Sequence, residues 1–353
     1  MISLHQKNRF LFFIIFLLPF LISSEKIQGI YVSRYVASSN RFYNLLEKLK
    51  ENSFNAVVID MKYDYGDVAV NLDSTYSLIG SYQKINQLKE KIDTLKKLGI
   101  KPIARIVCFK DNILGKYDNY KYAVKYSDGS IYYDLSKAIW VSPYSNFVQN
   151  YIIDIAKECA KIGFSEIQFD YIRFPTDGIK GTLVFPERNS LNGFETIINF
   201  LNKAYNELKP YGVDVSCDVY GYTVWFDSLN LVNQHLDGMA VYADAIYPMV
   251  YPSHFSDSLY RKLGKEERTY QIIYQSGVKS KKRIEKFNTK TILYLQDFTW
   301  KSSLMGNDYV NNQIKAAIDS DVEGFILWNP SSKYSYFELP EKINFSNYKK
   351  DKR

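Results

Sequence analysis

Four carboxylates stand at the ends of apolar, β-branched segments of the chain. Asp60 closes NAVVID, Asp170 closes EIQFD, Asp218 closes DVSCD and Asp297 closes TILYLQD. In a barrel of parallel strands, such residues meet at one open face, where the loops that follow the strands build active sites. Hydrolysis of a glycosidic bond needs one carboxylic acid and one carboxylate beside that bond. The pattern therefore indicates glycoside hydrolysis.

Strand-like and helix-like segments alternate along the chain and would hold these carboxylates in place. The predicted strands are 28–34, 55–61, 102–109, 166–172, 214–220, 245–250, 291–296 and 324–328, and the predicted helices are 40–51, 82–98, 146–161, 191–208, 229–242, 270–286 and 309–320. Such alternation is typical of a parallel α/β fold. A length of 353 residues accommodates one large barrel, and no linker divides residues 25–345. We therefore expect a single (β/α)8 TIM barrel.

The alternation of side chains along a strand decides which carboxylates face the barrel interior. Ile167 and Phe169 suit the helix layer, so Gln168 and Asp170 point inward, and the next strand turns Asp218 inward in the same way. Neighbouring strands lie ~4.8 Å apart, so the two carboxyl groups can approach the ~5–5.5 Å of a retaining pair. One group would stay protonated as the acid/base, and the other would stay ionised as the nucleophile. The residues alone do not decide which is which.

Aromatic and polar side chains accompany the acids on the same side of the predicted strands. All four tryptophans fall there, and an indole face can stack on a sugar ring. Ordinary core packing is the alternative for each tryptophan, and a plain loop position is the alternative for the single histidine of this group. The expected substrate-binding residues are Asp60, Arg105, Trp140, Gln168, Arg173, Tyr220, Trp225, Tyr247, Tyr251, His254, Asp297, Trp300 and Trp328.

Composition and charge exclude several other functions. The net charge of +7 comes from scattered lysines, without a stripe of basic and aromatic residues, so nucleic acid is not an expected partner. Three histidines, and three cysteines without a CxxC pair, predict neither a metal nor a cofactor, and the cysteines should be free and buried. Asp60, Asp64 and Asp67 offer only a weak alternative, a calcium loop.

The first 24 residues differ from the rest of the chain. Lys7 and Arg9 precede the apolar run 10–22, which contains Pro19, and two serines follow. A basic start, a short apolar core and small residues describe a secretory signal. Ile22 is not the small residue preferred three positions before a cut after Ser24, so an uncleaved anchor stays open as the chain's contact with a membrane. We expect export to the periplasm or cell envelope, with residues 346–353 forming a basic tail.

Eight segments carry a resemblance to a known family: GIYVSRYVASS, NAVVIDMKYDYG, PIARIVCFKD, GFSEIQFDYIRFPTDG, DVSCDVYGY, AIYPMVYPSHF, YLQDFTW and FILWNP. From about residue 29 to 330, the chain resembles an uncharacterised bacterial family of TIM-barrel glycoside hydrolases, distantly similar to alpha-amylases. That resemblance implies that Asp170 is the nucleophile and Asp218 the acid/base. The chain departs from the alpha-amylase pattern at Gln168, where an arginine is usual, and at Asp218, where a glutamate is usual. Arg105 or Arg173 would supply the missing positive charge.

Two functions follow from these observations. The first is an exported glycoside hydrolase that cleaves a polysaccharide or cell-envelope glycan with a retaining pair of aspartates. The alternative is a non-catalytic glycan-binding or envelope scaffold protein on the same barrel, motivated by Gln168 and by the short side chain of Asp218.

Overall fold

Eight parallel strands close into a barrel in chain order. The structure is a computed structural model that describes residues 26–72, 76, 79, 82–300, 308–339 and 341–343. Each strand pairs with its neighbours along the chain, and the last strand pairs with the first. The strands are β1 Ile27–Val32, β2 Ala56–Lys62, β3 Lys101–Val107, β4 Glu166–Asp170, β5 Asp214–Tyr220, β6 Ala245–Met249, β7 Lys290–Gln296 and β8 Gly324–Trp328. The predicted (β/α)8 TIM barrel is confirmed.

The helices of the described residues pack around the barrel and match most of the predicted ones. They are α1 Arg34–Ala37, α2 Arg41–Glu51, α3 Leu88–Lys97, α4 Asn112–Tyr120, α5 Asn146–Ile162, α6 Gly193–Leu208, α7 Leu236–Ala240, α8 Lys265–Ile284 and α9 Asp308–Asp319. The predicted helix 229–242 is wrong in length. A turn bridged by Leu229 and Gln234 occupies its first half, and the His235 side chain then caps the short α7 by accepting from the Gly238 N–H at 3.0 Å.

Strand side chains divide between an outer and an inner side as the alternation predicts. Ile167, Phe169 and Cys217 belong to the large apolar core between strands and helices, whereas Val58 and Ile103 belong to a smaller core inside the barrel. The three cysteines are free and buried, as expected. Inward positions near the strand ends are polar instead, so the interior changes from an apolar packing layer to a polar mouth.

The loops after β3 and β4 build one wall of this mouth. The short antiparallel pair Lys125–Tyr126 and Leu183–Val184 joins the two loops. Asp111 begins α4 within the first loop, because its Oδ1 accepts the N–H groups of Ile113 at 2.9 Å and Leu114 at 2.8 Å. This segment lies outside the predicted strands and helices, so α4 is an addition.

No helix of the described residues is long and apolar enough to cross a membrane. The predicted secretory segment and the predicted basic tail both lie outside the described residues.

Candidate active site

The C-terminal ends of the strands surround a cavity of about 520 Å³. A volume of this size suits part of a glycan or another small ligand. The sequence-predicted residues that line the cavity are Asp170, Asp218, Arg105, Trp140, Arg173, Tyr220, Tyr251, His254 and Trp328. The structure therefore brings together both predicted catalytic acids and seven of the predicted substrate-binding residues at one place.

Asp170 is held firmly in this cavity by N–H donors on both of its oxygens. Arg105 donates from Nε at 2.9 Å and from Nη2 at 2.6 Å to Oδ2. The Tyr171 backbone N–H donates to Oδ1 at 2.6 Å. These bonds fix the orientation of the Asp170 carboxyl group, which cannot rotate without losing its partners.

Asp218 has the opposite surroundings, although it lies beside Asp170 on the adjacent strand. Its side chain is buried, and no donor of the described residues reaches either carboxyl oxygen. Burial, followed by the charge of Asp170, raises the pKa of Asp218 well above its ordinary value, and Arg105 opposes this only in part. Asp218 is therefore the member of the pair whose protonated form is favoured, whereas Asp170 is paired with the guanidinium of Arg105.

Asp170 and Asp218 come from adjacent strands and line the same cavity, and the charge of Asp170 acts on Asp218. The structure thus shows two neighbouring carboxyl groups, one held by hydrogen bonds and one without them. The approach to the ~5–5.5 Å of a retaining pair stays a prediction.

Arg105 connects Asp170 to a second buried carboxylate, Asp60. Nη1 of Arg105 lies 2.6 Å from Asp60 Oδ1, and Nη2 lies 3.5 Å from Asp64 Oδ1. The Tyr31 hydroxyl donates to the other oxygen of Asp60. Burial raises the pKa of Asp60, partly opposed by Arg105 and by the bond from Tyr31. One arginine thus serves three acids, and β3 supplies the positive charge next to Asp170 that Gln168 does not.

The weak calcium-loop alternative for Asp60, Asp64 and Asp67 is wrong. The first two carboxylates face Arg105, and the third forms an ion pair with Arg34 at 2.9 Å. Over the part of the chain that the structure describes, no three His, Cys, Asp or Glu side chains come together as a metal site.

Aromatic and basic side chains form the wall built by the loops after β3 and β4. The Trp140 indole donates to Asp134 at 3.1 Å, and Lys110 lies 3.3 Å from the same carboxylate. Arg173 lies over the rings of Trp140 and Tyr171. This wall thus combines charged side chains with stacked aromatic rings.

The opposite wall follows β6 and β7 and is mainly aromatic. The Tyr251 ring lies 5.4 Å from the His254 ring and 5.3 Å from the Phe298 ring, measured between centroids. Trp300 stacks on His254 with 6.3 Å between centroids and an angle of 22°. It does not line the cavity, and 51% of its surface is exposed. The aromatic surface therefore continues outward from the cavity.

Several predicted binding residues lie away from the cavity. Asp60, Gln168 and Tyr247 are buried below it, where Gln168 accepts from the Tyr294 hydroxyl at 2.7 Å and Tyr247 donates to Glu166 at 2.7 Å. Trp225 packs between its loop and α8, and its indole N–H donates to Ser276 at 2.9 Å. The expectation that every tryptophan surrounds the cavity is therefore wrong for Trp225, for which the core-packing alternative holds.

Asp297 also faces away from the other acids. Its carboxylate accepts from the Ser335 hydroxyl and from the Tyr336 N–H at 3.4 Å, and it lines a separate cavity of about 600 Å³. Side chains alternate along a strand, and Tyr294 of β7 lies inside the barrel. Asp297 follows Tyr294 by three residues, an odd number, and therefore lies on the other side. Of the four strand-end acids, Asp60 and Asp170 contact Arg105 and Asp218 lies beside Asp170. Asp297 lies apart from these three.

Some residues that line the cavity were missed from the sequence. Tyr31 and Tyr294 alternate with outward residues of β1 and β7, so the same alternation that identified Asp170 could have found them. Lys110, Asp134 and Tyr171 come from loops, where the sequence carries no comparable signal. Further missed residues are Tyr63, Asp64, Ser136, Thr176, Asp177, Gly221, Met249, Phe255, Phe298 and Pro330.

A closed parallel barrel with paired carboxyl groups at its mouth is the architecture of a TIM-barrel glycoside hydrolase. Comparison with known families agrees with this class. Residues 29–334 match a family described as "Putative glycosyl hydrolase domain", and the chain belongs to this family. No curated protein is similar enough to count as a match.

Solved structures with this fold include known glycosidases. The PgaB (BpsB) glycoside hydrolase domain from Bordetella bronchiseptica is similar with a TM-score of 0.63 and 13% identity, over 87% of this chain and 94% of that chain. The hyperthermostable endo-1,4-beta-D-mannanase from Thermotoga petrophila RKU-1 is similar with a TM-score of 0.52 and 12% identity, over 86% and 88% of the two chains. At these identities the likeness concerns the fold alone. A hypothetical protein from Ruminiclostridium thermocellum ATCC 27405 is 32% identical over 54% of this chain and 97% of that chain, with a TM-score of 0.49.

Proposed function

We propose that this protein cleaves a polysaccharide or cell-envelope glycan, with Asp218 as the acid/base and Asp170 as the nucleophile. The asymmetry between the two carboxyl groups is the observation that carries this proposal. Three N–H bonds hold Asp170, whereas burial and the neighbouring charge raise the pKa of Asp218. A carboxyl group with a raised pKa beside a carboxyl group fixed by hydrogen bonds is the arrangement expected of an acid and its nucleophilic partner.

The reaction proceeds in two steps with these groups. Asp218 gives its proton to the glycosidic oxygen as the bond from that oxygen to the anomeric carbon breaks, and an Asp170 oxygen bonds to the anomeric carbon. Asp218 then takes a proton from water, whose oxygen displaces Asp170. The product keeps the anomeric configuration of the substrate.

A retaining reaction needs the two carboxyl groups ~5–5.5 Å apart, with the sugar between nucleophile and acid. Asp218 is the member that adjusts its position to the substrate, because no donor of the described residues holds it, whereas Asp170 stays on Arg105.

The shape of the aromatic wall supports a chain-like substrate. Tyr251 and His254 line the cavity, and Trp300 extends the same surface outside it. Stacked aromatic rings suit the apolar faces of successive sugars. The substrate is therefore proposed to be an oligosaccharide or polysaccharide rather than a single sugar.

Release of new reducing ends from peptidoglycan, α-glucans and β-glycans is the first test of this function. We expect Asp170→Asn to lower turnover per folded molecule by several orders of magnitude. Proton magnetic resonance of the first product should show the retained anomer. Near-normal turnover by Asp170→Asn would exclude this residue as the nucleophile. Binding without turnover across the whole panel would favour the non-catalytic glycan-binding protein instead.

Asp218→Asn tests the second role separately. A missing acid matters most for a poor leaving group, so activated aryl glycosides should be spared relative to the natural substrate. Equal loss on both substrates would mean that Asp218 only orients the site.

We also propose that the protein acts outside the cytoplasm, supported by the basic and apolar residues 1–24. Sequencing the N-terminus of protein from cell fractions tests this. We expect removal of about two dozen residues, and an intact N-terminus in the membrane fraction would mean an anchor.

A further inference from the structure

Arg173 occupies an unusual position among the basic side chains of the cavity. It follows β4 by three residues, after Tyr171 has turned the chain with a φ of 50°. Its guanidinium carbon lies 4.9 Å from the centroid of a Trp140 ring and 5.0 Å from the centroid of the Tyr171 ring. Nη1 donates to the Phe174 carbonyl at 3.1 Å and lies 3.5 Å from the Thr176 hydroxyl. The aromatic contacts fix the plane of the guanidinium while part of it faces the cavity.

The other two basic side chains of the cavity already have carboxylate partners. Arg105 is paired with Asp170 at 2.6 Å and Lys110 with Asp134 at 3.3 Å. Within the described ranges, no carboxylate oxygen lies within 4.0 Å of Arg173, and the acceptors of its hydrogen bonds are uncharged. Asp177 lines the same cavity but forms no ion pair with Arg173.

We propose that Arg173 binds an anionic substituent of the substrate, so that the glycan carries a carboxylate, sulfate or phosphate group next to the cleaved bond. This inference rests on the proposed function and names the class of substrate. A planar guanidinium with free N–H groups matches an oxyanion through two parallel hydrogen bonds. A neutral sugar would leave this charge without a counter-ion in a half-enclosed site.

The position of Arg173 fits recognition rather than chemistry. Asp170 already receives its positive charge from Arg105, so Arg173 is not needed for the nucleophile. Arg173 lies on the wall formed by the loops after β3 and β4, beside Trp140. An anionic group placed there would orient the sugar ring while Asp218 and Asp170 act on the anomeric carbon.

Binding measured without turnover tests this site. The probes are short oligosaccharides of glucuronic acid and the same oligosaccharides after reduction of their carboxyl groups, with a sulfated neutral oligosaccharide as a third ligand. Isothermal titration at fixed salt should show that the protein binds an acidic ligand about tenfold to a hundredfold more tightly than the reduced one. Preference for the carboxylated or for the sulfated ligand identifies which anion the site takes.

Three variants separate this site from general attraction to a protein of net charge +7. Arg173→Gln should abolish the preference, and Arg173→Lys should keep part of it, because a lysine retains charge but not the two parallel bonds. Lys279→Gln is the matched control, since Lys279 also lies over a tryptophan, at 5.1 Å from a Trp225 ring, but does not line the cavity. It removes the same charge and should leave the preference unchanged.

Equal or absent binding of acidic and reduced ligands by the wild-type protein overturns the inference, as does a preference that survives in Arg173→Gln. Its failure differs from failure of the proposed function. Hydrolysis of neutral glycans without an acidic preference removes the anion site only. An acidic preference that depends on Arg173, without hydrolysis of any glycan, keeps the anion site and removes the catalytic role.

Discussion

Two carboxyl groups inside the same barrel, Glu166 and Asp218, have opposite surroundings. Glu166 begins β4 and accepts from Lys101 at 2.6 Å, from the Ser216 hydroxyl at 2.5 Å and from the Tyr247 hydroxyl at 2.7 Å. Asp218 lies near the C-terminal end of β5, and no donor of the described residues reaches its oxygens. Both side chains are about 1% exposed. Burial is therefore the same, and only the partners differ.

The difference separates a carboxylate that serves the fold from one that is available for chemistry. A buried charge is tolerated when a counter-ion and hydrogen bonds satisfy it, as at Glu166. A buried carboxyl group without donors keeps its proton and destabilises the folded state once it ionises. Asp218 has this costly arrangement at the mouth of the barrel, where a substrate can reach it. Strongly perturbed groups in a cavity are candidates for catalysis for this reason.

Glu166→Gln should have the largest effect on stability. The change leaves Lys101 without its most buried partner, although Asp214 remains 2.7 Å away. Breaking a buried ion pair from one side costs about 3 kcal/mol in free energy of unfolding, measured by denaturant titration. Turnover per folded molecule should stay normal, because Glu166 does not line the cavity. A loss of stability below about 1 kcal/mol would mean that Glu166 is not the satisfied structural carboxylate described above.

Sequence reasoning predicted the fold and the inward position of Asp218, but not the satisfied carboxylate Glu166. Alternating hydrophobicity placed the strands and turned Gln168 and Asp170 to one side, because the apolar residues that alternate with them need the helix layer. The same pattern cannot tell which of these polar residues is satisfied by partners from other strands, since those partners are distant in sequence. Asp297 was misjudged because a position just past a strand can fall on either side. Arg173 was predicted, but its free donors depend on loops that carry no periodic signal.

Asp218→Asn should increase stability near neutral pH. The folded-state pKa of Asp218 lies above its ordinary value. The native protein therefore binds more protons than the unfolded chain between the two pKa values, and stability falls as pH rises through that range. Asparagine cannot ionise, so the cost of a buried charge without donors is removed and the free energy of unfolding should rise by about 1–3 kcal/mol at neutral pH.

The gain in stability of Asp218→Asn should shrink as pH falls toward the ordinary pKa of aspartate. There Asp218 of the wild type is protonated in both the folded and the unfolded state. Burial also raises the pKa of Asp60 and of Asp297, so part of the pH dependence should persist in the variant. Denaturant unfolding of both proteins at several pH values measures the difference. A variant less stable than the wild type at neutral pH would show that Asp218 is a structural carboxylate like Glu166.

The smallest expected effect concerns Trp300, and it extends the comparison from carboxyl groups to tryptophans. Trp225 is held in packing by Phe255, Tyr260 and its hydrogen bond to Ser276, whereas half of Trp300 is exposed beside His254. Trp300→Ala should change the free energy of unfolding by no more than about 0.5 kcal/mol. It should raise KM for a long glycan severalfold and leave kcat nearly unchanged, because stacking on a distant sugar binds substrate and transition state alike. Trp225→Ala is the control and should do the reverse, with a stability loss of about 2 kcal/mol and an unchanged KM. If Trp300→Ala and the wild type have the same KM for long glycans as well as for short ones, the substrate does not extend along this aromatic surface.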